Sequence, residues 1–289
     1  MSKILITGAT GQLGKAVVNE LLQKVNARDI SIMVRDARKA EELKLKGVNV
    51  IKGDYTDFDS LVAAFKEIEK LYFISSSDKT NRFAQHQNVV KAAVEAKVGH
   101  IFYTSAHRKS EDETSPLAGD AHWQTDALIK QSGLTYTILK HSLYTELLPL
   151  FIGDKVFDSG IIFLPAGGGR SSYATRADLA AAGAVVLTTE GHQNSVYELG
   201  SQHSYSFQDI AEMLSGLSGK NIQFVSPSID VYSEQLKSHG VPEKMIQGAL
   251  TFCIALMRGE FDFPSSDLET LLGRKPQSVK DYLKTAYNL

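Results

Sequence analysis

The chain holds 289 residues, 43% of them apolar and 22% charged, with a formal net charge of −2. That balance suits a globular protein with a sizeable core, as one large domain or two smaller ones. Without a block of like charge it gives no electrostatic case for nucleic acid or a membrane surface as partner. The single cysteine, Cys253, excludes a disulfide framework and a thiolate metal site within one chain, and its apolar neighbours predict a buried thiol.

In chain order, the first predicted element is a strand, Lys3–Thr7, short, β-branched and apolar. Gly8, Gly11 and Gly14 follow, and a helix is expected over Lys15–Lys24, with Val17, Val18, Leu21, Leu22 and Val25 at helical period. Strand, glycine turn and helix together form what a dinucleotide site needs. Residues without Cβ let a pyrophosphate approach the backbone, and the helix N-terminus presents N–H groups and a positive dipole end. Gly8, Thr10, Gly11, Gln12, Leu13 and Gly14 are therefore the candidate phosphate-binding residues.

Further strands are expected at Ile30–Val34, Val48–Lys52, Leu71–Ser75, His100–Thr104 and Thr135–Lys140. Helices are expected between them, around Ala37–Lys46, Ser60–Phe65, Gln85–Ala96 and His122–Gln131. This alternation predicts βαβ crossovers, hence a doubly wound α/β parallel sheet covered on both faces. Immediately after the second strand, where an NAD site would offer a carboxylate to the ribose, stands Arg35, followed by Asp36, Arg38 and Lys39. A guanidinium matches phosphate oxygens, so Arg35 argues for the 2′-phosphate of NADPH; the competing reading gives the ribose to Asp36 and leaves Arg35 to solvent. Two more loops lie at strand carboxyl ends. Asp54 could accept from an adenine amino group with Tyr55 packed nearby, or simply shape a turn; Ser75, Ser76 and Ser77 could contact ribose or pyrophosphate, or be a polar loop.

Beyond residue 150 the pattern changes. A helix is expected over Arg176–Leu187, a strand over Val196–Leu199, and a capped helix from Ser206, with Asp209 three residues on, to near Leu217. A strand near Ile222–Val225, a helix from Pro242 towards Arg258, and short helices near Asp267–Leu272 and Ser278–Ala286 complete the chain. Gly167-Gly168-Gly169 reads as a turn. The expected division is a dinucleotide-binding domain over 1–150 and a smaller substrate lobe over 151–289, interleaved with the sheet. No apolar run reaches membrane-span length and no signal peptide precedes the first strand, so a cytoplasmic protein is expected.

Several stretches together carry a resemblance: GATGQLG (8–14), MVRDARKA (33–40), GDYTD (53–57), LYFISSS (71–77), HWQTDALIKQSGLTYTILKHSLYTE (122–146) and the segment 190–220. The sequence resembles the NmrA-like branch of the atypical short-chain dehydrogenases, near bacterial NADPH-dependent quinone reductases of the second type and triphenylmethane reductases. The resemblance implies a Rossmann-type domain with a small α/β C-terminal lobe, bound NADPH, and a cleft for a quinone or dye-like acceptor. It is compatible with a homodimer. NmrA itself binds the oxidised cofactor as a regulator, so a non-catalytic NADP(H) sensor is the alternative.

The Tyr-x-x-x-Lys pair of typical short-chain dehydrogenases is missing. Its one spelling here, Tyr136 to Lys140, falls in a predicted strand, where residues four apart are separated by roughly 13 Å. By alignment with the wider family, His122 takes the tyrosine position and Asp126 the lysine position. A quinone accepts hydride readily, so placement of cofactor and acceptor can suffice. Ser105, His107 and His122 are candidates for a polar or proton-relay role, and Tyr144 for stacking on nicotinamide or core packing. Lys140, where relatives usually hold arginine, joins the cofactor-binding candidates, although a structural role suits it better. The eight histidines show no metal-site spacing.

Overall fold

A computed structural model describes residues 4–78, 80–108, 121–153 and 155–289. The first half runs β1 (Ile4–Thr7), α1 (Gln12–Leu21), β2 (Ile30–Val34), α2 (Glu41–Leu45), β3 (Asn49–Lys52), α3 (Phe58–Phe65), β4 (Lys70–Phe73), α4 (Arg82–Glu95), β5 (His100–Ala106), α5 (Ala121–Gln131) and β6 (Thr135–His141). There follow α6 (Leu148–Ile152), α7 (Val156–Ser159), β7 (Ile161–Phe163), β8 (Arg170–Ser171), α8 (Arg176–Thr188) and β9 (Ser195–Leu199). The chain ends with β10 (Tyr205–Ser206), α9 (Phe207–Ser218), β11 (Gln223–Val225), α10 (Ile229–Ser238), α11 (Glu243–Met257), α12 (Asp267–Leu272) and α13 (Val279–Ala286).

Seven strands form one sheet in the order β3-β2-β1-β4-β5-β6-β9, with every neighbouring pair parallel. This is the doubly wound α/β sheet that the alternation predicts. Helices cover both faces, so the inner strands are mainly apolar; all of β1 and β2 is buried. On one face Val17, Val18 and Leu21 of α1 pack with Leu179, Ala180 and Val186 of α8. On the other, Leu61 and Phe65 of α3 join Val89 and Val90 of α4 and Ile129 of α5. A further core unites Ile162, Phe207, Ile210, Leu214, Cys253 and Leu256 beyond the sheet. Burial pushes the Cys253 thiol up to about 12, which makes it an inert apolar filler.

The sheet grows in opposite directions from β1 and β4, so the carboxyl ends of these two strands flank a switch-point crevice. Parts of the second half return to this body. β9 pairs with β6, α8 lies along α1, and α12 packs on α8 and β9.

Several boundaries differ from the sequence expectation. The helix after the glycines begins at Gln12 instead of Lys15, because Gly11 already stands in extended conformation as its cap. The helix expected over 37–46 divides into a 3-10 turn, Ala37–Ala40, and the short α2; the Asp36 side chain accepts from the Arg38 N–H and closes the tight turn first. Pro242 caps α11 from outside, and Ser206 and Asp209 form the expected capping box of α9. β7, which pairs with β11, and α10 were not expected from the sequence; no residue of α10 is fully buried. The triple-glycine turn is a packing turn, since a Cβ on Gly169 would lie 2.2 Å from the Leu256 carbonyl oxygen.

Candidate functional site

At the switch point the chain leaves β1 through Gly8, whose φ of +61° favours glycine. The Gly11 N–H closes the turn on the Gly8 carbonyl at 3.0 Å. A Cβ on Gly14 would come within 2.3 Å of that same oxygen, so only glycine lets the first turn of α1 sit against the strand end. Gly11 supplies no side-chain cap and the first turn holds no acid, so neither of these neutralises the positive helix end. Gly8, Gly11 and Gln12 are exposed and Thr10 is half-buried. Leu13 and Gly14 are buried, so any contribution of Leu13 to a ligand comes from its backbone. This cradle fits a pyrophosphate.

Arg35 lies exposed just beyond β2. Asp36 is committed elsewhere: its carboxylate receives the Arg38 Nε and Nη2 hydrogen bonds at 2.9 and 2.8 Å. Those bonds hold the Asp36 carboxyl below the usual carboxylate range. Among the described residues Arg35 has no ion-pair partner, which leaves its guanidinium to a ligand phosphate.

The next two loops are more structural than the sequence suggests. Asp54 folds its carboxylate back onto the Thr56 N–H and hydroxyl, both at 2.9 Å, as an Asx turn. Tyr55 points its phenol inward, bonding Thr7 Oγ1 at 2.5 Å and donating to the Ile74 carbonyl at 2.8 Å; it ties β1 to the end of β4 beneath the crevice. The Ser75 N–H donates to Thr104 Oγ1, and Ser76 is anchored to α4 through the Gln85 side chain and through Arg82, which donates to the Ser76 carbonyl. Ser77 is exposed. The loop is thus braced from behind.

His122 stands buried in the first turn of α5, with Nδ1 2.8 Å from the Tyr103 hydroxyl. Tyr103 also lies 3.4 Å from His86 Nδ1, and the Ser76 N–H donates to His86 Nε2 at 3.0 Å. His141, at the end of β6, is buried too; burial, then His122, pushes it down to about 3. His86 and Tyr103 escape sequence reading. The signal was a histidine on the buried stripe of a helix and a tyrosine in a fully buried strand, both of which must find partners.

Ser105, Lys140 and Glu198 stand in register across β5, β6 and β9. Lys140 Nζ is 3.3 Å from the Glu198 carboxylate, which also meets His107 Nε2. The Tyr136–Lys140 string therefore lies along a strand, and its lysine belongs to an ion pair. Burial works against ionised Glu198, yet His107 and Lys140 keep it below the usual range. Burial raises Asp126 to about 6, against the pull of the Ser105 hydroxyl and Lys140. Lys140, Asp126, Arg108 and Trp123 line a cavity of about 280 Å³. Tyr144 carries the Arg176 guanidinium over its ring, 4.2 Å from the centroid, and Arg176 is paired in turn with Glu146 at 3.4 Å. One ring face of Tyr144 is thereby occupied. No group of metal-ligating side chains occurs among the described residues, and no described helix is long and apolar enough to cross a membrane.

Comparison with known proteins agrees with this geometry. Quinone oxidoreductase 2 of Escherichia coli K12 is 34% identical over 287 residues, covering 99% of both chains. Its structure complexed with NADPH matches at a TM-score of 0.89, with 99% of this chain and 100% of that one covered. The Citrobacter sp. triphenylmethane reductase complexed with NADP(H) is 38% identical, with 98% and 99% of the two chains covered and a TM-score of 0.89. An NAD(P)H azoreductase of Xenophilus azovorans is 25% identical over 84% of this chain and 83% of its own length. The NmrA-like family model matches residues 1–283, and the chain belongs to that family.

Proposed function

We propose that this protein is an NADPH-dependent reductase that delivers hydride to a quinone or a comparable planar electrophile, without a Tyr-Lys pair. The observation that carries the reading is the uncapped glycine turn beside an unpartnered Arg35, with Asp36 tied to Arg38. Relatives named for quinone, azo-compound and triphenylmethane reduction support the acceptor class. Bound NADPH supplies the hydride.

The amides around Gly11 to Leu13 hold the pyrophosphate and Arg35 holds the 2′-phosphate. Ser75 and Ser77 contact the bound nucleotide from a loop that Ser76 braces, while Tyr55 keeps the floor of the crevice rigid. Tyr144 presents the ring face that Arg176 leaves open, and His122 and Ser105 supply polar contacts near the acceptor. The smaller lobe closes the acceptor side. We read the protein as cytoplasmic, where NADPH is available, and self-association into a homodimer suits it.

NADPH consumption with benzoquinone, naphthoquinone, azo-dye and triphenylmethane-dye acceptors tests the proposal. Turnover is expected with at least the quinones, and Arg35→Ala is expected to lower kcat/KM for NADPH by roughly 10- to 100-fold while changing NADH little. Equal losses with both nucleotides would remove the cofactor argument. Tight NADP(H) binding without turnover on any acceptor would favour the sensor reading.

A further inference from the structure

We propose that His141, at the carboxyl end of β6, is a nucleotide-binding residue that hydrogen-bonds the carboxamide of the nicotinamide. The inference rests on the NADP(H)-binding part of the proposed function and assigns a contact to the nicotinamide end.

His141 is 5% exposed, and among the described residues neither of its ring nitrogens has a hydrogen-bond partner. A buried imidazole in that condition has given up its bonds to water and gained none in return. Such an orphan is completed by a group from outside the chain. The strand end that carries it is fixed on both sides. The His107 N–H donates to the His141 carbonyl at 3.0 Å, and the Ser142 N–H donates to the Leu199 carbonyl at 2.9 Å.

The sheet face on which His141 lies follows from alternation and register. Leu139, two residues earlier, and Leu199, its register partner in β9, pack in the same core as Val17, Val18 and Leu21 of α1. His141 therefore lies on the face covered by α1, the helix that begins at the glycine cradle. Ser105 and Lys140 belong to the opposite face, with Asp126 of α5. Tyr144, whose open ring face suits the nicotinamide, stands edge-on to His141 with ring centroids 6.3 Å apart.

The direction of the nucleotide selects its nicotinamide half. Arg35, after β2, takes the 2′-phosphate, which belongs to adenosine, and the pyrophosphate lies on the cradle after β1. In the order β3-β2-β1-β4-β5-β6-β9 the other half extends away from β2, across β4 and β5 towards β6. β6 lies three strand spacings from β1, about 14 Å. A carboxamide offers both a carbonyl acceptor and N–H donors, and a neutral imidazole is its complement, with one N–H and one bare nitrogen. Burial first, then His122, keeps His141 neutral by holding its pKa down to about 3. A held carboxamide fixes the rotation of the ring that carries it, so His141 orients the hydride-bearing ring.

Calorimetric titration with NADP⁺ and with adenosine 2′,5′-bisphosphate, which lacks the nicotinamide half, tests the assignment beside ¹⁵N spectra of histidine-labelled protein. His141→Phe is expected to weaken NADP⁺ by about tenfold and to leave the bisphosphate unchanged. His141→Asn, which keeps a donor and an acceptor, is expected to recover most of that loss. In the wild-type spectrum NADP⁺ is expected to shift the His141 nitrogens, and the bisphosphate to leave them in place. Equal weakening of both ligands, no weakening of NADP⁺, or His141→Asn as weak as His141→Phe would overturn the proposal. So would His141 nitrogens that stay in place at NADP⁺ saturation, since water would then be their partner; this arm needs no variant and decides the matter if the variants do not fold. NADP⁺ affinity that does not depend on His141 would leave the cofactor reading standing. A shift specific to NADP⁺ without turnover of any acceptor would count against the reductase reading and leave the His141 contact standing.

Discussion

Asp126 of α5 is a carboxyl that burial holds near pKa 6. Because its protonated form is favoured in the folded state, its contribution to stability is complete below the ordinary carboxyl range and is lost as pH rises from about 4 to about 6. Asp126→Asn should therefore be more stable than wild type by about 1–3 kcal/mol near pH 8 and should match it near pH 4. Urea unfolding at the two pH values checks this; an equal difference at both would show that Asp126 is not raised. Single residues were legible in the sequence where the adjoining element was legible. Arg35 follows directly on a strand, so its place at the crevice could be read, whereas the engagement of Asp36 by Arg38 could not. His86, Tyr103 and Thr125 lie on three elements and meet only through the fold. Asp54 carried two readings, and Thr56 close by in the chain closes its turn, whereas the bonds of Tyr55 go to Thr7 and Ile74, which only the fold brings near.

At the scale of elements, alternating apolar strands and amphipathic helices gave the parallel sheet, because a strand buried on both faces has no other composition open to it. The sequence also showed the start of β6 at Thr135 and the capping box of α9. It did not show β7, three residues long and held by its pairing with β11. α8 illustrates packing that composition hints at and geometry decides. Its buried Ala180, Ala182, Gly183 and Ala184 let it lie against the sheet and α1, and a Cβ on Gly183 would fall 2.5 Å from the Tyr72 hydroxyl. Gly183→Val should therefore cost about 1–3 kcal/mol by overpacking, although valine is a tolerable helix residue. Thermal unfolding measures the loss; an unchanged midpoint would mean that α8 and β4 can separate without cost.

Across the whole molecule, the first six strands, β9 and the helices between them assemble one nucleotide-binding edge, while the core around Phe207 and Leu256 builds the lobe beyond it. The loop after β5 reaches that lobe, with His107 stacked on Phe263 at 3.8 Å and Arg108 over Phe261 at 5.6 Å. Residues of both bodies thus meet at this loop, which suits the proposed placing of a flat acceptor between them. Membership of the family leaves two uses for the same cradle, reduction or sensing, and hydride transfer separates them. The most direct measurement is a single-turnover mixing experiment in which protein loaded with NADPH deuterated at C4 meets 1,4-naphthoquinone. Rapid loss of the reduced-nicotinamide absorbance, slower with deuterium than with protium and well above the protein-free rate, is the predicted result. Bound NADPH that keeps its absorbance at the protein-free rate would contradict the account.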